Sequence, residues 1–124
     1  MSENGRPVFL NLLQIQMPVA AVLSVLHRLS GVVLILLIPA ALYWLQLSVS
    51  SQVGFQSAFS LFSSKAGQAI LFVLLWGLLH HFFSGVRFLL IDVEQGVDKQ
   101  SARLSAWLVL LLAPCVSLLL VWLA

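Results

Sequence analysis

The sequence predicts an all-α membrane protein with three transmembrane helices, and composition and hydropathy both point to it. Of its 124 residues, 61% are hydrophobic and 8% are charged, whereas soluble domains carry roughly 25% charged residues. The apolar residues fall into three runs long enough to cross a bilayer, which takes about 20 residues. We therefore expect one transmembrane domain over residues 1–124.

Each apolar run predicts one span. The predicted helices cover roughly residues 19–47, 67–91 and 104–124. The Ser-rich stretch 48–68 reads as an external loop, and its phenylalanines favour a short interfacial helix there. Residues 92–103 form the other predicted loop, which holds most of the acidic residues.

The basic residues predict that the N-terminus is cytoplasmic and the C-terminus is on the outer side, because Lys and Arg concentrate near the cytoplasmic ends of spans. In that orientation five basic residues lie on the inner side and one on the outer: Arg6, Arg28, Arg87, Lys99 and Arg103 inside, and Lys65 outside. The N-terminus lacks the features of a signal peptide. A chain that starts close to its first span favours a protein of the bacterial inner membrane, and the alternative is a processed organellar protein.

Charge and cysteine content exclude other classes. A net charge of +2 is too small and too scattered to indicate nucleic-acid binding. The single cysteine, Cys115, excludes an internal disulfide.

Four residues of the first span fall at i, i+3, i+4 and i+7, which places them on one helix face. They are Ser24, His27, Arg28 and Gly31. This face favours a site for an anionic or carbonyl-bearing ligand. The alternative is a snorkelling arginine beside a packing glycine.

The second span carries two adjacent histidines near its middle, His80 and His81. Histidine is the commonest metal ligand and a usual axial ligand of haem iron. His81 shares a face with Ser84, Gly85 and Phe88, and the glycine would let a flat macrocycle approach. The spacing favours neither histidine over the other, and a hydrogen-bonded pair facing a partner helix is a further alternative.

The depth of the polar groups bears on how a haem would be held. By helical rise, His27 is expected about 15 Å nearer the inner surface than the two midplane histidines. A six-coordinate haem would then take its second ligand from another chain, and His27 and Arg28 would suit the propionates. Arg87 is expected near the inner end, in reach of Asp92 or Glu94.

Two motifs resemble the cytochrome b subunit of succinate dehydrogenase, part of the membrane anchor of complex II. They are "RPVFLNLLQIQMPVAAVLSVLHRLSG" (6–31) and "HFFSGVRFLLID" (81–92). The resemblance implies one subunit of a helical bundle that contains haem b, shared with a second small anchor subunit. It also implies an iron–sulfur subunit, a flavoprotein subunit that carries FAD and oxidises succinate in the TCA cycle, and ubiquinone as the electron acceptor.

The resemblance also implies roles for individual residues. Ser24 and Arg28 correspond to quinone-pocket residues, and His27 and Arg28 to haem propionate contacts. His81 corresponds to an axial haem ligand, the other being a histidine of the second anchor. The sequence departs from the family pattern at Phe88, often a histidine, at the additional His80, and at a displaced glycine, Gly96. The alternatives are a quinol:fumarate reductase anchor and a structural anchor without haem.

Overall fold

The computed structural model describes residues 16–123, and all its regular secondary structure is α-helical. The helices are α1 (Val19–Ser50), α2 (Gln52–Ser63), α3 (Lys65–Asp92) and α4 (Lys99–Leu123). Three of them, α1, α3 and α4, are long and apolar enough to cross a membrane. The predicted class, an all-α membrane protein with three spans, is confirmed. The Arg6–Pro7 part of the first motif and the predicted end at residue 124 lie outside the described residues, and the single domain over 1–124 stays a prediction.

The longest span, α1, has 32 residues and is therefore about 48 Å long. A typical hydrocarbon core is about 30 Å thick. The end turns of α1 therefore reach the headgroup region, even where the helix is tilted.

The short helix α2 occupies the predicted external loop. Ser51 and Ser64 cap α2 and α3, because each hydroxyl accepts a hydrogen bond of 3.0 Å from the backbone N–H three residues later. Phe55 and Phe59 are exposed on α2, with ring centroids 6.3 Å apart. Exposed aromatic rings on a short helix beside two spans are typical of an interfacial helix.

The start of α4 is the largest departure from the predicted boundaries, since the helix begins at Lys99 and not near 104. Asp98 caps this end: its Oδ1 accepts hydrogen bonds from the backbone N–H of Gln100 (3.1 Å) and of Ser101 (2.9 Å). Hydrogen bonds from Ser101, and then from the Gln100 backbone, lower the pKa of the Asp98 carboxyl. Hydropathy does not detect this polar first turn.

The helices pack around α3, which contacts both α1 and α4, while α1 and α4 also touch. The hydrophobic core consists of Leu23, Ala106 and Val109. Ala106, Ala113 and Ser117 of α4 are fully buried, and small residues of this kind allow membrane helices to approach closely.

Most large apolar side chains of the described residues are exposed in the isolated chain. Lipid or partner helices therefore supply most of their surroundings. The interior is small, yet every buried side-chain nitrogen and oxygen within residues 16–123 has a hydrogen-bond partner. The hydrogen bonds that polar side chains make between the helices locate the candidate site.

Candidate functional site

The imidazole of His81 extends from α3 to the backbone of α1. Its Nδ1 lies 3.1 Å from the carbonyl oxygen of His27 and 3.3 Å from Oγ of Ser30. A carbonyl oxygen only accepts hydrogen bonds, so this contact requires the proton of a neutral His81 to be on Nδ1. The lone pair is then on Nε2, the nitrogen available to a metal.

The side chain of His27 lies beside the same ring. The two imidazoles stack with centroids 4.2 Å apart and planes 13° from parallel. The expectation that His27 lies about 15 Å nearer the inner surface is therefore wrong. His27 comes eight residues after the start of α1 and His81 comes eleven before the end of α3. In antiparallel helices these offsets place both rings at similar depth.

Glycines make room for both rings. A Cβ built on Gly31 would lie 2.9 Å from Cε1 of His81, closer than the two atoms can pack. A Cβ on Gly85 would lie 3.6 Å from Nε2 of His27, an ordinary contact. Each histidine thus lies over a glycine of the opposite helix, and only Gly31 is sterically required.

The adjacent His80 has different surroundings. It is 5% exposed, and its Nε2 lies 3.4 Å from Oγ of Ser84. It lines a cavity of about 230 Å³ between α1 and α3, whose walls are otherwise almost entirely apolar. Ligand pockets usually measure about 300–1,000 Å³, so this space is small for a macrocycle.

The other polar residues of the α1 motif point in different directions. Arg28 is exposed and Ser24 is partly buried, whereas His27 and Gly31 face α3. The predicted common face is thus divided between the contact with α3 and the outer surface of the chain.

Arg87 links α3 to α4. Its Nε donates to Oγ of Ser105 and its Nη2 to the carbonyl oxygen of Ala102, both at 2.9 Å. The suggested pairing with Asp92 or Glu94 is replaced by these bonds. Sequence reasoning missed Ser105, although a hydroxyl near the start of an apolar span was a signal for it.

The ring of Phe88 lies next to both the histidine pair and the guanidinium of Arg87. Its centroid lies 5.2 Å from that of His27 and 5.5 Å from Cζ of Arg87. Arg87 therefore makes a cation–π contact at the edge of the histidine pair. The residue that departs from the family pattern is thus in contact with the site.

Within residues 16–123, no group of three or more His, Cys, Asp or Glu side chains is arranged to hold a metal ion. His27 and His81 also cannot act as the two axial ligands of one haem. Their rings are stacked face to face with centroids 4.2 Å apart, which leaves no room for a macrocycle between them.

Fold and site together define a multi-pass helical membrane protein with a histidine pair between two of its spans. Over residues 2–120 the chain matches the family model described as "Succinate dehydrogenase/Fumarate reductase transmembrane subunit", and the chain belongs to this family. It is a cytochrome b type membrane anchor, a subunit of an enzyme complex, and its family associates with the other subunits of complex II.

Two curated relatives are each named succinate dehydrogenase cytochrome b556 subunit. The protein from Coxiella burnetii (strain RSA 493 / Nine Mile phase I) is 32% identical over 105 residues, which cover 84% of each chain. The protein from Paracoccus denitrificans is 29% identical over 106 residues, covering 86% of this chain and 82% of the relative. Similarity thus extends over most of both chains.

Proposed function

We propose that this chain helps bind haem b and ubiquinone in a succinate:quinone oxidoreductase, and that electrons from succinate reach quinone at its surface. Succinate oxidation takes place on a flavoprotein subunit, and an iron–sulfur subunit and a second small anchor complete the complex. The family match supports the assembly. The observation that carries the haem assignment is the hydrogen bond that leaves Nε2 of His81 with its lone pair.

His81 suits the role of axial ligand better than the two other histidines. His80 is buried and its Nε2 contacts Ser84. The ring of His27 is stacked on that of His81, so the two would not hold one macrocycle between them. The second axial histidine would therefore come from the partner anchor. Haem, when bound, supplies one-electron oxidation and reduction.

His27 and Arg28 are proposed to hold the haem propionates. Both are on α1, close to His81 in depth, and both offer N–H donors to carboxylates. The exposed guanidinium of Arg28 can extend beyond the edge of the chain, where a group shared with a partner subunit would lie. Because the His27 ring stacks on His81, its position is linked to that of the axial ligand.

Ser24 and Arg28 are proposed to bind the quinone. Reducing a quinone takes two electrons and two protons, so its oxygens need hydrogen-bond donors. The Ser24 hydroxyl can donate to one oxygen, and Arg28 can stabilise negative charge that develops there. Ser24 is partly buried and Arg28 is exposed, which is consistent with a pocket completed by another subunit.

The proposed location is the bacterial inner membrane, with the N-terminus in the cytoplasm. Most basic residues then lie on the cytoplasmic side, as the positive-inside rule requires. Arg28, Arg87 and Lys99 would all be at that end of the bundle, since α1 starts, α3 ends and α4 starts there.

The test is the dithionite-reduced minus oxidised visible spectrum of the purified complex, for wild type, His81→Ala and His80→Ala. A b-type α-band that is lost only with His81 supports the proposal. A band that is lost only in His80→Ala would assign the iron ligand to His80 and contradict its assignment to His81. Absence of the band in wild type would contradict haem binding and leave a quinone-binding anchor without haem.

A further inference from the structure

We propose that the hydroxyl of Ser30 and the backbone carbonyl of His27 are positioning groups that fix the tautomer and orientation of His81. The inference rests on the proposed function, in which His81 ligates haem. It adds a residue with no role in that proposal, Ser30, and assigns the ligand atom as Nε2.

The hydrogen-bonding pattern allows a single assignment of protons. The Ser30 hydroxyl donates to the His27 carbonyl oxygen at 2.8 Å, so its own proton is committed. The lone pairs of that hydroxyl then face Nδ1 of His81 at 3.3 Å. The carbonyl oxygen also faces Nδ1, at 3.1 Å. Both neighbours of Nδ1 are acceptors. Nδ1 therefore carries a proton, and its N–H faces both of them.

This arrangement has a chemical consequence for the ligand. A histidine whose far ring nitrogen donates a hydrogen bond is held in one tautomer and is a more basic ligand, and losing such a partner typically costs about 10- to 100-fold in metal affinity. Ser30 is one of two acceptors, so we expect its loss to act at the lower end of that range, about 10-fold.

The backbone makes the arrangement rigid. The carbonyl acceptor belongs to α1 itself and is independent of the His27 side chain. Gly31, one residue after Ser30, lets the His81 ring approach to within reach of that carbonyl. Helix α1 therefore supplies the acceptors and the space together.

The experiment compares Ser30→Thr with Ser30→Val in the purified complex, because these side chains have the same shape and only threonine has a hydroxyl. Ser48→Val is the matched control: Ser48 is on the same helix and bonds the Trp44 carbonyl at 2.7 Å, away from the histidines. The readouts are the haem midpoint potential and the pulsed-EPR quadrupole coupling of the uncoordinated imidazole nitrogen.

We expect Ser30→Thr and Ser48→Val to match wild type. In Ser30→Val, the coupling should change and haem should be lost about 10-fold more readily. Its midpoint potential should rise, because a less electron-donating imidazole stabilises ferric iron less. Identical couplings in Ser30→Thr and Ser30→Val would overturn the inference. Failure of the proposed function would be seen in a different result: wild type would have no b-type band, or His81→Ala would keep the band.

Discussion

The rings of His27 and His81 stack 4.2 Å apart, and each lies over the glycine of the facing helix. The pattern is reciprocal, because α1 carries His27 and Gly31 and α3 carries His81 and Gly85, with the same spacing of four residues. Antiparallel packing then sets each histidine opposite a glycine. A side chain added at Gly31 therefore acts on His81 of the other helix, whereas a Cβ at Gly85 would make only an ordinary contact with His27.

Gly31→Ala is expected to displace His81. The new Cβ would lie 2.9 Å from Cε1 of that ring, so the imidazole must move away from the His27 carbonyl. We expect haem retention to fall by at least about 10-fold, the effect typical of losing a ligand's orienting partner. The measurement is the ratio of haem to flavin in the purified complex.

Gly77→Ala is the matched control for that substitution. Gly77 is also in a transmembrane helix, and nothing lies within 4 Å of a Cβ built there. We expect a haem-to-flavin ratio equal to that of wild type. If Gly31→Ala also kept the wild-type ratio, the close approach of His81 to α1 would have no bearing on haem binding.

Arg28→Leu is expected to reduce succinate:quinone activity by about 100- to 1,000-fold, the usual effect of removing a donor that stabilises developing charge. Succinate oxidation with a soluble dye should continue, because that reaction takes place on partner subunits. The measurement is the ratio of the two activities in isolated membranes.

Arg103→Leu is the control, because Arg103 is an exposed arginine of α4 that is not part of the proposed quinone site. Its two activities should both remain near wild type. Loss of both activities in Arg28→Leu would point to failed assembly, and retention of both would exclude Arg28 from the quinone site.

The spans could be predicted from the sequence because bilayer thickness sets the length of an apolar run. The pairing of His27 with His81 could not, because periodicity within one helix carries no information on its register against another. The error of about 15 Å in the depth of His27 arose in this way. Each histidine is followed four residues later by a glycine, which indicated close helix packing. The sequence did not indicate which side chain of the facing helix would occupy the space over each glycine.

The partners of Arg87 were missed for a related reason. A charged group in a span must be satisfied, and the acidic residues that follow it in sequence were the obvious choice. The structure instead uses Ser105 and the backbone carbonyl of Ala102 near the start of α4, which also accepts a hydrogen bond from the Ser105 hydroxyl. Such a carbonyl has no sequence signature.

Arg87→Met is expected to weaken the packing of α3 against α4. The guanidinium makes two hydrogen bonds to α4, and bonds to charged groups contribute about 1.5–3 kcal/mol each. Methionine keeps much of the side-chain volume, so the packing around it can relax. We therefore expect the free energy of subunit dissociation to fall by about 2–4 kcal/mol. The measurement is the thermal or denaturant midpoint at which the purified complex loses its subunits.

Ser105→Ala separates the two bonds. It removes the hydroxyl that accepts from Nε and leaves the bond from Nη2 to Ala102. We expect the free energy of subunit dissociation to fall by about 1.5–2 kcal/mol, the lower part of the range for a hydrogen bond to a charged group. An equal loss in Ser105→Ala and Arg87→Met would show that the Ala102 carbonyl contributes little.

The N-terminus of α4 is expected to fray in acid. Hydrogen bonds from Ser101 and the Gln100 backbone lower the pKa of Asp98 in the folded state, below the value of about 3.9 of an unfolded aspartate. The carboxylate therefore stabilises the cap fully above about pH 4, and this stabilisation is lost as the pH falls through the lower, folded-state pKa.

The measurement is the hydrogen-exchange protection of the Gln100 and Ser101 amides, corrected for intrinsic rates. Asp98→Asn keeps a capping oxygen but does not titrate, so its protection should be independent of pH in this range. Equal pH profiles for wild type and Asp98→Asn would show that the charge of Asp98 contributes nothing to the cap.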